Sequence, residues 1–308
     1  MTYNIPILFL VFNRPETTKR VLLEIRKIKP TKLYVVADGP RKNNLKDKEN
    51  CEKVRNLIDE LVDWKCVVKK TYRKENLGCR KSVSEGITWF FKNEEMGVIL
   101  EDDCLANNSF FKFCEKMLLK YKNNSKIMHI SGNTFINQNY RNKYVSSDYF
   151  FSKYPHVWGW ATWKRAWKFY NSNLHGFDKN LKNILIYNKF NLLEKLYWTK
   201  IFNLVLSNKI NSWAYVWFYS ILERKGLSIQ PKYNLVKNIG FGEYATHTTN
   251  INKNSLEYFN LKLNKHPLKI ESNSKLDRYI AKKHYGISIK GLFFKIINNF
   301  KLFIISFF

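Results

Sequence analysis

The chain has 308 residues, 45% hydrophobic and 16% aromatic, and its 53 lysines and arginines outweigh 25 acids to leave a net charge of +28. That length accommodates one large core with additions. The charge invites anionic partners, but the basic residues are scattered and no RNA- or DNA-binding signature matches, so no nucleic acid partner is expected. The run Pro6 to Phe12 is continuously apolar and reads as a buried strand. Asn13, Arg14 and Glu16 break it too early for a signal peptide, and Pro15 opens a helix over Thr17 to Ile28. Leu33 to Ala37 predicts a second strand, closed by Asp38-Gly39-Pro40. Lys46 to Val62 is helical, with Val54, Leu57, Ile58 and Leu61 on one face. Cys66 to Val68 is a third, weak strand. Asn76-Leu77-Gly78-Cys79-Arg80-Lys81 leads into a helix through Phe91, and Val98 to Leu100 is the fourth strand.

Strands alternating with helices imply parallel crossover units, hence an α/β protein with a doubly wound, mixed or parallel, Rossmann-like sheet and helices on both faces. The fourth strand ends on Glu101-Asp102-Asp103. Three adjacent carboxylates at the end of a buried strand repel each other and resist leaving water. A divalent cation shared with a phosphorylated ligand resolves that conflict, and hard oxygen ligands suit Mg2+ or Mn2+. In open α/β sheets, ligands gather at the carboxyl ends of the strands, where this triplet falls. An acidic surface loop is the plain alternative.

Further along, His129 sits in a probable strand, Ile127 to Ser131, and reads as structural. Aromatic residues crowd 147 to 219; most are expected in the core, with a few lining a saccharide cleft. His175, His266 and His284 look like surface positions. Five cysteines, odd in number and without a Cys-x-x-Cys pair, argue against a disulfide scaffold or a zinc site and suit a reducing cytoplasm. No run of about 18 apolar residues exists, so no spanning helix is expected. A shift to Asn, Lys and Ser after Thr249 divides the chain into a catalytic domain, 1–250, and a C-terminal extension, 251–308. Residues 290–308 carry three lysines, no acid, and apolar residues at helical spacing. Such a basic amphipathic helix either lies in a membrane interface or docks on the core. The first option makes the protein cytoplasmic and peripheral on the inner membrane face.

The Phe-Asn-Arg-Pro opening, the Asp-Gly-Pro turn, Glu75-Asn76-Leu77-Gly78-Cys79-Arg80 and the Glu-Asp-Asp strand end together resemble a GT-A fold glycosyltransferase. The nearest likeness is to bacterial sugar transferases related to N-acetylglucosaminyltransferase I. It continues through Trp158 to Trp163, Asn234 to Gly242 and Ala245 to Thr248. The resemblance implies sugar transfer from a nucleotide-diphosphate sugar, UDP-linked, to a saccharide or lipid-linked acceptor in surface polysaccharide or lipopolysaccharide assembly. The transfer is metal-assisted and inverting. By that resemblance Asp103 binds Mn2+ or Mg2+ directly, and His247 binds the metal or the diphosphate. Glu101 and Asp102 contact ribose or donor-sugar hydroxyls. Asp38, with Gly39, accepts from the base. Asn13 and Arg14 sit against the nucleotide, and Arg80 and Lys81 face the diphosphate or sugar. His156, Trp158, Trp160 and Trp217 line the acceptor side.

One departure concerns the base that takes the acceptor proton. Ala214 stands where these transferases carry an acid, which leaves Glu223, Asp178 and Glu243 as substitutes. Two other classes remain open. A sugar-nucleotide nucleotidyltransferase shares the nucleotide site and metal, but normally shows a glycine-rich N-terminal loop absent from Val11 to Pro15. A catalytically silent carbohydrate-binding or scaffold protein retains the fold and turns over nothing.

Overall fold

The structure, a computed structural model, describes residues 2–172, 177–240 and 258–288, the side chains of 177–179 excepted. In chain order its elements begin β1 (Ile7–Val11), α1 (Pro15–Ile28), β2 (Lys32–Ala37), α2 (Leu45–Leu61), β3 (Val67–Tyr72), α3 (Cys79–Asn93) and β4 (Met96–Glu101). Next come β5 (Cys104–Ala106), α4 (Asn108–Lys120), β6 (Ile127–Ser131), α5 (Gln138–Tyr144), β7 (Tyr149–Ser152), β8 (Trp160–Trp163) and α6 (Lys164–Trp167). The chain continues with α7 (Phe177–Tyr187), α8 (Leu192–Leu206), α9 (Trp213–Glu223), β9 (Leu227–Pro231), β10 (Val236–Asn238) and α10 (Ser274–Lys283).

Eight strands form one sheet in the order β3-β2-β1-β4-β8-β6-β9-β7. The first four pair in parallel, as alternating strands and helices require. β8 then enters antiparallel between β4 and β6, so the second half of the sheet is mixed. The pleat sends alternate side chains to opposite faces. Ile7, Phe9 and Val11 of β1 join a core with Val21 and Ile25 of α1, Val54 and Ile58 of α2, and Phe110 to Leu118 of α4. Leu8 and Leu10 join a second core with Ile87 and Phe90 of α3 and with Trp213 and Trp217 of α9. Both faces are covered, which is why these strands read as unbroken apolar runs. A third core, around Trp198, Phe202, Phe218 and Leu276, knits α8, α9 and α10.

Short β5 pairs antiparallel with β10, Cys104 opposite Asn238, so the segment after the acidic triplet is gripped by a much later part of the chain. Residues 258–288 return to the body. The Asn107 amide donates to the Phe259 carbonyl at 2.9 Å, and Asp277 of α10 accepts from the Ser152 hydroxyl at 2.6 Å. The expected boundary near residue 250 and the basic segment 290–308 lie outside the described residues. Among the described residues no helix is long and apolar enough to cross a membrane.

β4 carries the acids, and its position depends on Gly97. A Cβ there would lie 2.3 Å from the Phe90 ring and 2.8 Å from the Pro6 carbonyl oxygen. Gly97→Ala should therefore cost about 1–3 kcal/mol through overpacking. A urea midpoint equal to that of the parent would show that the sheet and α3 can move apart freely.

Candidate active site at the strand ends

The carboxyl ends of β1, β2, β4 and β6 share one rim, and the acidic triplet lies near its middle. Arg14 caps the start of α1 just after β1 and reaches across to β4. Its guanidinium forms an ion pair with Asp102 Oδ1 and a second with Asp103 Oδ2 at 3.1 Å. The Phe12 amide donates to Asp102 Oδ2 at 3.3 Å. Asp103 is held at its backbone, where its carbonyl accepts from the Ile239 amide at 2.8 Å. Gly240 then passes so close that a Cβ there would sit 2.4 Å from Asp103 Oδ2 and 2.8 Å from Arg14 Nη1. A glycine is required at that approach. The turn is fixed by Asn238, whose side-chain oxygen accepts from the Gly240 amide at 2.9 Å.

Burial pushes the Glu101 carboxyl up from its ordinary value, and the charges of Asp103 and Asp102 add to the rise. Burial also raises Asp102, against the pull of Arg14. Burial works against the charge on Arg14 as well, but Asp102 and Asp103 more than offset it, so the guanidinium holds its proton more tightly than usual. The N-terminus of α3 faces the same cluster. Burial raises the Cys79 thiol to about 12, with Glu101, Asp103 and Asp38 adding to the shift. α3 has no side-chain cap and no acid within its first turn, and the carboxylates of Asp38, Glu101 and Asp103 stand near its positive end.

Several expected contacts are redirected. Asp38, expected to accept from a base, has both oxygens engaged by the chain. Oδ1 accepts from the amides of Gly39 at 2.9 Å and Leu77 at 3.0 Å; Oδ2 accepts from Asn76 Nδ2 at 3.1 Å and the Gly78 amide at 3.2 Å. Four donors fill a carboxylate, so Asp38 locks the loop that feeds α3. Gly39 packs against the Glu75 backbone in that lock. Asn13 donates to Asp47 Oδ1 at 2.7 Å, in a network with Arg41, instead of facing an open cleft. Arg80 turns away from the rim. It donates to the Ser172 carbonyl at 2.7 Å, to Asn208 Oδ1 at 3.2 Å and to the Val205 carbonyl at 3.4 Å, closing the carboxyl end of α8. Lys81 is exposed, 4.0 Å from Glu85.

The aromatic expectations divide by burial. Trp160 and Trp217 are 1% and 0% exposed, so neither ring offers a face to a saccharide. Trp217 donates from Nε1 to His129 Nδ1 at 3.2 Å, and Trp160 stacks between His129 and Trp213. Because His129 accepts at Nδ1, its proton is on Nε2, which donates to the His156 carbonyl at 2.9 Å. His129 is structural, as its strand position suggested. His156 is also buried, beneath Phe135 at 4.6 Å between ring centres. Trp158 keeps part of its ring open at the rim, with Phe135 against it at 5.1 Å and His284 stacked on Phe135. Phe135 was not singled out in the sequence, and it comes here through the loop after β6; His284, expected at the surface and exposed there, reaches it from the carboxyl end of α10.

The candidate bases fare unevenly. Glu223 ends α9, beside the amino ends of β6 and β9, at the opposite edge of the sheet from the triplet, which removes it from this chemistry. Asp178 has an undescribed side chain, and Glu243 and His247 lie outside the described residues. Ala214 is half-buried in the first turn of α9. The chain just before that turn approaches the rim, since a Cβ on Gly78 would lie 3.5 Å from Asn211 Nδ2.

No family model matches the chain, and no curated protein does. Among solved structures it is similar to a mannosyltransferase from Pyrobaculum calidifontis in complex with GDP-Man and Mn2+. That pair shares 12% identity over 72% of this chain and 75% of that one, with a TM-score of 0.39. It is also similar to a UDP-glucose pyrophosphorylase complexed with UDP-glucose, at 12% identity, 53% and 70% coverage and a TM-score of 0.30. A third is 4-diphosphocytidyl-2C-methyl-D-erythritol synthase from Anaerococcus prevotii, at 10% identity, 65% and 83% coverage and a TM-score of 0.32. Likenesses this distant carry no argument about activity; the α/β fold rests on the strand order itself.

Two predictions follow from the rim and its supports. Asp38→Ala should free the loop before α3, costing about 1–3 kcal/mol for the unpaired amides and speeding hydrogen exchange at Leu77 and Gly78. Unchanged exchange there would contradict the lock. Burial lowers His129 to about 3 and takes His156 well below its ordinary value. Their stabilising contribution is therefore complete above the unfolded value of about 6.5 and is lost as pH falls from there. Each ring should contribute a slope of about 1.4 kcal/mol per pH unit. His129→Gln should be correspondingly less acid-sensitive than the parent in denaturation at pH values below about 6.5. Parallel profiles would mean the ring is already protonated when folded.

Proposed function

We propose that this chain is a glycosyltransferase acting on a nucleotide-diphosphate sugar, with a divalent ion shared between Asp103 and the diphosphate. The observation that carries the reading is the arrangement of the triplet. Asp102 is buried, 4% exposed at its side chain, and held by Arg14, while Asp103 beside it is 17% exposed. Asp103 thus presents its carboxylate at the rim next to the uncapped start of α3.

Among the described residues no group of three His, Cys, Asp or Glu side chains is placed to hold an ion. The donor set nevertheless fits a shared ion. Mg2+ and Mn2+ take hard oxygens, and one or two carboxylates suffice when substrate phosphates complete the shell. Asp103 would hold the ion, which when bound supplies Lewis-acid stabilisation of the leaving diphosphate. Arg14 keeps a fixed positive charge at the same point and orients Asp102 and Asp103. The α3 amides and the exposed Lys81 offer further positive potential to phosphate. Trp158 and Phe135 offer partly open rings to an acceptor saccharide.

Asp103→Asn should weaken Mn2+-dependent binding of UDP-sugars or GDP-sugars by at least about tenfold while leaving the melting temperature near that of the parent. Calorimetry with EDTA as the metal-free control reads this directly. Equal donor affinity with and without metal, in parent and variant, would sink the reading. Product analysis separates the chemistries, because sugar transfer releases a nucleoside diphosphate and nucleotidyl transfer from a triphosphate releases pyrophosphate.

A further inference from the structure

α7 and α8 form an outer layer whose outward face differs from the rest of the surface. Nine large hydrophobic side chains are strongly exposed among the described residues, and four of them cluster here. They are Ile186 and Tyr187 at the end of α7 and Leu192 and Leu196 on α8. On α8 the inward stripe is Glu194, Trp198, Phe202 and Val205, as a surface helix requires. The outward stripe, Leu192, Leu196, Asn203 and Ser207, begins with leucines where polar residues are the norm. A groove of about 660 Å3 runs along it between Lys195, Leu196, Lys200 and Lys209, and a second of about 420 Å3 adjoins it over Lys182 of α7.

Among the described side chains the charge of this face has one sign. Between Asn180 and Leu222 the sole acid is Glu194. It is buried, accepting from the Tyr154 hydroxyl at 2.6 Å and the Asn191 amide at 2.9 Å. The cations are Lys182, Lys189, Lys195, Lys200 and Lys209, joined by Lys225, whose Nζ lies 4.4 Å from the centre of the Tyr187 ring.

We propose that the α7–α8 face docks on an anionic lipid bilayer, with its leucines and Tyr187 in the interface and its lysines over the phosphate headgroups. Charge complementarity selects this occupant. A second copy of the chain would set lysine against lysine. The chain's own last residues, 290–308, carry three lysines and no acid, so they do not complement the groove either. They are basic and apolar in the same way. Exposed apolar side chains ringed by lysine bind anionic interfaces by combining burial with headgroup attraction. The proposal holds whatever the strand-end site catalyses.

The test is co-sedimentation of the full-length protein with vesicles. The parent should bind phosphatidylglycerol-containing vesicles, bind phosphatidylcholine vesicles far less, and release at high salt. Leu192→Glu with Leu196→Glu should weaken binding roughly tenfold or more at an unchanged melting temperature. Lys48→Ala with Lys53→Ala, an equal charge change on α2 at the other face of the sheet, should bind like the parent. If the leucine pair lowers the melting temperature, Lys200→Glu with Lys209→Glu, both exposed, reads the same face. Parent-like binding by the α8 variants would overturn the proposal. So would equal binding to both vesicle types, or no vesicle binding by the parent, whether it sediments as a monomer or as a dimer.

Discussion

Three carboxylates end a strand that is buried on both faces, and the guanidinium of Arg14 makes that arrangement tolerable. Without a cation the triplet would be either protonated or pulled out of the sheet. The requirement propagates outward. Arg14 must stand just beyond the carboxyl end of β1, so β1 and β4 must be neighbours and parallel. Asp103 must be held by its backbone, so the chain near Ile239 must return to it. Gly240 must lack a side chain, because Asp103 and Arg14 already fill the space its Cβ would take.

Around this centre, polar groups are divided between those that present charge and those that hold loops. Asp38 and Asn13 are of the second kind, with their hydrogen-bonding capacity taken up by the chain. Arg80 closes the end of α8. The rim therefore offers a narrower set of groups than its sequence implied: Arg14, Asp103, half-buried Glu101, the start of α3 and the partly open ring of Trp158. A narrow, preorganised set suits electrostatic stabilisation, which depends on groups that need not move when charge develops.

The aromatic residues show how one composition serves two ends. Trp160, Trp163, Trp198 and Trp217 are fully buried and knit α9 and the middle of the sheet to the outer helices. Their indole nitrogens are satisfied where the packing allows, as in Trp217 to His129 and Trp163 to the Leu118 carbonyl at 3.1 Å. Trp158 and Phe135 are only partly buried, near the ends of β6 and β8.

The sequence by itself determined the parallel half of the sheet. Continuous apolar runs, a proline at the start of α1 and the acids at the end of β4 depend on local periodicity and on the cost of burying charge, and both act within a few residues. It also marked Glu101 to Asp103 as a place needing a cation. Tertiary structure decided which cation is there, because Arg14 and Asp102 are 88 residues apart and only the β1–β4 pairing joins them. It decided that β8 runs antiparallel, since short aromatic strands fit either direction and pairing partners choose between them. It removed Trp160, Trp217, His156 and Glu223 from the ligand side and gave Asp38 and Arg80 structural partners. A residue type states what a side chain can bond, and burial and neighbours, which are set across the whole chain, determine whether that capacity is free.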